Sequence, residues 1–261
     1  MNDAALAVAV RAARNAAAVI ADAARDLKRL ATFSKEHSDI VAQADSEAEN
    51  AIVTALAAAF PDHAVIGADG STRNEGSTYR WIIDPIDGTA NFAHGYPCYA
   101  ISIALAHGAE LTHAVVLDPL RDELYAAVKG HGATVNDVPL RVSACTAIEK
   151  ALVGTVFPAH DSSRLEAYLP MLHAVMRRCA GVRRAGACSL ELAYVAAGRL
   201  DGFWVLSLKS RDLAAGALLV HEAGGRVGDF AGTAEFLKSG EVIAASPGVF
   251  SALREVITGA R

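Results

Sequence analysis

Two aspartates, Asp84 and Asp87, stand in the middle of the string Trp81-Ile82-Ile83-Asp84-Pro85-Ile86-Asp87-Gly88-Thr89-Ala90-Asn91-Phe92. The apolar run before them reads as a buried strand. Pro85 lacks the N–H that a ladder needs, so the strand is expected to stop at Asp84. Asp87-Gly88-Thr89 reads as a turn feeding a new helix. Taken alone, an Asp-Pro pair is an ordinary polar strand end with Asp84 as a cap. The whole string says more, because it sets two carboxylates beside free backbone N–H groups at a helix start. Carboxylates suit Mg²⁺, a hard cation that keeps waters and takes substrate phosphate oxygens. Helix-start N–H groups suit the phosphate itself.

A second block, far along the chain, is Arg211-Asp212-Leu213-Ala214-Ala215-Gly216 followed by Glu222-Ala223-Gly224-Gly225. Asp212 reads as a helix N-cap. A carboxylate has two oxygens, so capping and metal ligation are compatible.

The two blocks resemble the signature of the inositol monophosphatase family of Mg²⁺-dependent, lithium-sensitive phosphatases, and the resemblance covers nearly the whole chain. It implies an α+β layered (αβαβα) sugar-phosphatase fold. One domain, 1–261, would then comprise two closely joined subdomains, about 1–145 and 146–261, with the site between them. It implies that Asp84, Asp87 and Asp212 surround the metals, with Asp84 bridging and the Ile86 carbonyl as a further ligand. The catalytic set would be Asp84, Asp87, Thr89 and Asp212. Substrate would lie against Gly88, Thr89, Gly186, Ala187 and Asp212. The implied reaction is in-line phosphomonoester hydrolysis by a metal-activated water, with the Gly88 and Thr89 N–H groups on phosphate oxygens. Inositol 1-phosphate is the family's default substrate, and relatives act on histidinol phosphate, fructose bisphosphate or nucleotide 3′-phosphates. A homodimer is also implied.

This sequence departs from the family pattern at three places. Gly67-Ala68-Asp69 stands where the family has Gly-Glu-Glu. Ala68 cannot be a ligand; Asp69 matches the second Glu and is the candidate metal ligand, one methylene shorter, with Glu75 more distant. Val205 occupies a place where many members have a Glu that touches substrate hydroxyls, which removes an acceptor for a polyol. Arg211 replaces a Trp and, with Lys209, adds positive charge, which either favours a more anionic substrate or is a surface replacement without effect. The alternative function is a catalytically weakened paralogue acting as an interaction or regulatory protein.

Several elements must position these groups. Residues 3–31 are Ala-rich with apolar residues at helical spacing and read as a core-packed amphipathic helix. Residues 34–45 read as a polar link, and Asp45-Ser46 as the start of a second helix with a capping box at Ser46 and Glu49. The resemblance puts this segment near the metals, so Asp45 is either a cap or a group behind the ligands; Arg211 is a second candidate for a group behind the ligands. Residues 64–67 are a short strand and 70–79 a polar loop. Residues 99–106 and 111–117 form a hairpin, and 123–128 adds a strand. A seam is expected at 144–149. Helices follow at 162–178, 186–198 and 213–223, with strands at 202–206 and 241–245 and a last helix from Pro247 to about 259.

At 261 residues and 52% hydrophobic composition, the chain can bury a large core. A net charge of -5 and a pI near 6.0 give no electrostatic footprint for nucleic acid. Cys98, Cys145, Cys179 and Cys188 are scattered and read as free thiols in a reducing compartment. The N-terminal stretch has Asp3, Arg11 and Arg14 among its alanines and does not read as a signal peptide. A cytoplasmic protein with a small-molecule phosphomonoester substrate, Mg²⁺ as cofactor, and neither nucleic-acid nor membrane partner is the expectation. His94 and His221 read as structural.

Overall fold

The computed structural model describes residues 3–30, 34–67, 72–158 and 162–260. In chain order the elements are α1 (Ala4–Leu27), α2 (Lys35–Ala59), β1 (Ala64–Ile66), β2 (Thr72–Arg73), β3 (Tyr79–Asp87), α3 (Thr89–Ala93), β4 (Ala100–His107), β5 (Glu110–Asp118), β6 (Glu123–Val128), β7 (Ala133–Val135) and β8 (Val138–Pro139). Then come β9 (Leu152–Thr155), α4 (Ser162–Met176), β10 (Gly181–Arg183), α5 (Cys188–Ala196), β11 (Gly202–Val205), α6 (Ser210–Glu222), β12 (Arg226–Gly228), α7 (Phe236–Ser239), β13 (Val242–Ala245) and α8 (Pro247–Thr258). The first eight strands form one sheet in the order β2-β1-β3-β4-β5-β6-β7-β8, antiparallel except where β1 meets β3. The remaining five form a second sheet, β10-β9-β11-β13-β12.

Burial sorts these elements into five layers. One face of the first sheet packs on α1 and α2 through Ile20, Ile52, Leu56, Trp81, Ile83 and Ile101. Its other face, together with α5, α6 and the near face of the second sheet, forms the largest core, which holds Ile82, Val116, Leu192, Leu213 and Phe203. The far face of the second sheet buries Trp204 and Ile243 against Tyr168 and Met171 of α4 and Leu253 of α8. Helix, sheet, helix, sheet, helix is the expected layered arrangement. α1 is long and apolar enough to cross a membrane, but its stripe of Val8, Ala12, Ala16 and Ile20 is buried against α2 and the sheet.

Three local expectations are corrected. Residues 34–45 are not a link. Helix α2 starts at Lys35, capped by Ser34, whose Oγ accepts from the His37 N–H at 3.1 Å. The polar residues there alternate with a buried stripe of His37, Ala44, Ala48, Ile52 and Leu56, so the helix is amphipathic from its first turn. Asp45, Ser46 and Glu49 lie inside it and cap nothing. Next, β3 does not stop at Asp84. It runs to Asp87 with a register shift between the two aspartates, so the ladder accommodates Pro85 by bulging. Finally, α6 begins at Ser210 after the cap Lys209. Asp212 is its third residue, and its Oδ2 accepts from the Lys209 N–H at 2.9 Å. The strands β2, β7, β8, β10 and β12 are too short to carry a readable pattern, and α5 starts at Cys188, two residues after Gly186.

Candidate active site

The bulge at Pro85 decides where the two carboxylates go. In a regular strand, residues three apart lie on opposite faces. Ile82 belongs to the central core, so Asp84, two residues on, points at the α5/α6 layer. After the bulge, Ile86 turns to the α1/α2 core, and Asp87 emerges on the same side as Asp84. There the Asp87 Oδ2 accepts from both the N–H (2.7 Å) and the hydroxyl (2.5 Å) of Ser189, in the first turn of α5.

Asp212 arrives from α6 by a different route. α6 packs on α5 and crosses β3 and β4, and Gly216 makes this approach close. A Cβ on Gly216 would lie 2.4 Å from the Leu192 Cβ. Arg211 lies between the carboxylates: its Nε is 3.7 Å from Asp212 Oδ1 and 4.0 Å from Asp84 Oδ2. Asp45 feels the same guanidinium from α2.

The electrostatics follow from burial. Burial, with Asp87 and Asp212 adding repulsion and Arg211 opposing it, pushes the Asp84 carboxyl well above the usual range. Burial pushes Asp87 up to about 7, with the Ser189 hydrogen bonds pulling down and Asp212 pushing up. Burial also raises Asp45, against the pull of Arg211. Buried, mutually repelling carboxylates call for a cation. Carboxylate oxygens and the Ile86 carbonyl are hard donors of the kind that suit a divalent ion, so the residues fit one in kind. Among the described residues no three His, Cys, Asp or Glu side chains form a metal site by themselves. Ala68 and the candidate ligand Asp69 lie outside the described residues.

The Gly88-Thr89 turn is held from both ends. Gly88 adopts φ +91°, and a Cβ there would meet the Cys98 carbonyl at 3.0 Å and both the Gly186 carbonyl and the Ala187 Cβ at 3.3 Å. Gly88 and the Gly186-Ala187 segment are thus brought together. Thr89 Oγ1 donates to the Ile86 carbonyl at 2.9 Å. α3 has only five residues, so an anion here would rest on individual N–H groups and not on a helix dipole.

Sequence reasoning missed three supporting residues. Ser189 anchors Asp87. Asn91 Nδ2 donates to the carbonyls of Cys98 (2.6 Å) and Ala185 (2.8 Å), stapling the two loops. Glu191, fully buried, accepts from the Gly186 N–H at 3.2 Å, and burial pushes its carboxyl up to about 8. Asn91 lies inside the first motif block, and Ser189 and Glu191 come shortly after the Gly186-Ala187 pair. Val205 is a packed residue of the central core, Glu75 is exposed, and His94 and His221 are exposed outside the carboxylate set. Burial raises the Cys98 thiol to about 11 and Cys188 well above its ordinary range, so neither is an activated nucleophile.

The model of the inositol monophosphatase family matches residues 1–258. A protein named Nus factor SuhB from Pseudomonas aeruginosa is 47% identical over 255 residues, covering 96% of this chain and 94% of that one. An inositol-1-monophosphatase from Rhizobium meliloti is 44% identical over 233 residues, covering 89% and 88%. Among solved structures, the extragenic suppressor protein suhB from Bartonella henselae superposes with a TM-score of 0.89 at 36% identity over 98% of this chain and 100% of that one. The inositol monophosphatase from Anabaena gives 0.87 at 31% identity over 97% and 95%. Carboxylates from β3 and α6 converge in a layered fold shared along its whole length with these proteins, and the chain belongs to the inositol monophosphatase family of phosphatases.

Proposed function

We propose that this protein hydrolyses a small polyol or sugar phosphomonoester, inositol 1-phosphate or a more anionic relative, with Mg²⁺ as cofactor. The observation that carries the reading is the bulge that turns Asp84 and Asp87 to one face, where Asp212 arrives from α6. Asp84, Asp87, Asp212 and the Ile86 carbonyl would hold the ion, with Asp69 as a further candidate. When bound, Mg²⁺ acidifies water and neutralises charge on phosphate oxygens.

The chain's own groups do the rest. Ser189 fixes the Asp87 Oδ2 through its N–H and its hydroxyl. The Thr89 hydroxyl proton is committed to the Ile86 carbonyl, so its oxygen remains an acceptor that can orient a water. The Gly88 and Thr89 N–H groups would hold phosphate oxygens, with the Gly186-Ala187 segment walling the substrate side. Val205 offers no acceptor to a sugar hydroxyl, whereas Arg211 offers a positive charge to a second anionic group. Two copies would form the homodimer. A second reading, an interaction or regulatory role, is favoured by one observation: relatives such as the Pseudomonas aeruginosa protein carry the name Nus factor.

The test is phosphate release from inositol 1-phosphate, histidinol phosphate, fructose bisphosphate and nucleotide 3′-phosphates, with Mg²⁺ and with chelator. Chelation should abolish turnover, and Asp87→Asn should lower kcat/KM at least about a hundredfold, because several kcal/mol of charge stabilisation goes with the carboxylate. Absence of Mg²⁺-dependent turnover on every substrate would leave the interaction reading in its place. Full activity in Asp87→Asn would show that the metal reading misplaces the ion.

A further inference from the structure

We propose that Arg211 is a tethered cation that occupies the carboxylate cluster when no metal is bound, and so sets the affinity for the divalent ion by competing with it. The inference rests on the metal reading above and adds the residue that tunes it.

Its basis is geometric. Arg211 is the second residue of α6, directly before Asp212, so its side chain leaves the helix at the rim of the cluster. Ser102 Oγ, on the strand that pairs with β3 at Asp84, lies 3.5 Å from the Arg211 carbonyl and ties this turn to the sheet. The guanidinium Nε stands 3.7 Å from one carboxylate and 4.0 Å from another. Only 11% of the Asp84 side chain and 17% of that of Asp212 is exposed. A third carboxylate, Asp45 on α2, feels the same charge. One positive group therefore serves three acidic groups from three elements.

A cation in the first turn of a helix opposes the helix dipole. Its place there is explained by the acidic groups around it and not by the helix. Separations of 3.7 and 4.0 Å are longer than a good N–H···O hydrogen bond. At these two carboxylates Nε is held by charge and not by a hydrogen bond. A hard divalent ion brings twice the charge to contact distance with the same oxygens. The two cations share one anionic cluster and repel each other. Metal binding must therefore displace the guanidinium, and the apparent affinity falls by the fraction of protein that it occupies.

The experiment is calorimetric titration of the substrate-free protein with Mg²⁺, in wild type, Arg211→Gln, Arg211→Trp and Arg211→Lys, with thermal unfolding of each in chelator and in excess Mg²⁺. Arg211→Gln and Arg211→Trp should bind Mg²⁺ about tenfold more tightly, the factor for a competitor holding about nine-tenths of the metal-free protein. Arg211→Lys, which keeps the charge, should stay near wild type. Arg211→Gln should unfold at lower temperature than wild type in chelator and gain more from Mg²⁺. If Arg211→Gln does not fold, Arg211→Trp against Arg211→Lys carries the comparison. Equal Kd values across folded variants would overturn the competition and leave the metal reading intact. Absence of Mg²⁺ binding in every variant, wild type included, would overturn both.

Discussion

Replacing Gly216 by Ala tests the helix contact that delivers Asp212. An added Cβ would lie 2.4 Å from the Leu192 Cβ and 2.7 Å from its Cδ1, whereas ordinary contact begins at 3.4 Å. The nearest atom is anchored directly to the backbone of α5, so no rotamer change relieves it. The helices must part by about 1 Å, a displacement that close-packed interiors resist. Both helices are buried between two sheets, so neither is free to move outward. Overpacking of this kind costs about 3 kcal/mol at its usual upper end. Exchanging Gly for Ala in a helix returns about 1 kcal/mol. The net loss is about 2 kcal/mol, or about 4–8 °C in Tm for a chain of this size. Asp212 lies one turn before Gly216 on the same helix, so the same displacement moves its carboxylate away from Asp84. Misplacement on this scale can cost about a hundredfold in turnover. Urea unfolding and phosphate release measure the two effects. The control is Gly224→Ala, where φ is +87° and a Cβ would meet nothing within 4 Å. That change carries only the cost of a left-handed alanine, about 1–2 kcal/mol, with activity kept. If Gly216→Ala is as stable as wild type or more so, helix propensity has won, and the close approach of α5 and α6 is not what positions Asp212.

Ser189→Ala removes the 2.5 Å hydroxyl bond to Asp87. It should cost about 1.5–3 kcal/mol in metal-free protein above about pH 8, where the carboxylate is charged, and less at pH 5; an equal cost at both would show that Ser189 does not stabilise the anion. Glu191→Gln addresses a carboxyl that burial raises from 4.5 to about 8. A raised folded-state value means that the stability contributed by its proton is present in full below about pH 4.5 and is lost as pH rises through about 8. Wild type should therefore lose stability relative to Glu191→Gln between about pH 5 and about pH 9, read by urea unfolding in the same buffers. A difference that does not change with pH would show that Glu191 does not titrate in this range.

The sequence alone determined the family and the layered class, because both rest on strings that are local. The 81–92 segment is apolar, then acidic, then Gly-Thr, and that order reads as strand, site and turn without any distant contact. The free cysteines, the 100–107 and 110–118 hairpin and most of the helices were legible for the same reason. Where the reading failed, a local signal was outweighed by packing. Asp45 and Ser46 look like a helix start, but the stripe from His37 to Leu56 finds the sheet and carries the helix back to Lys35. Asp212 looks like a cap, yet α6 begins two residues earlier, at Ser210, with Lys209 as its cap.

Only the tertiary structure decided which way the carboxylates point. By strand periodicity Asp84 and Asp87 belong on opposite faces, and the bulge at Pro85 puts them on one. The bulge is fixed by the partner strand β4, Asp87 by Ser189 of α5, and Asp212 by the approach of α6 at Gly216. Arg211 reads in the sequence as added positive charge near the site, and the fold sets its Nε within 4.0 Å of two of the three carboxylates. A motif names the groups, but their common direction is a property of layers packed around them, and that depends on contacts between residues more than a hundred positions apart.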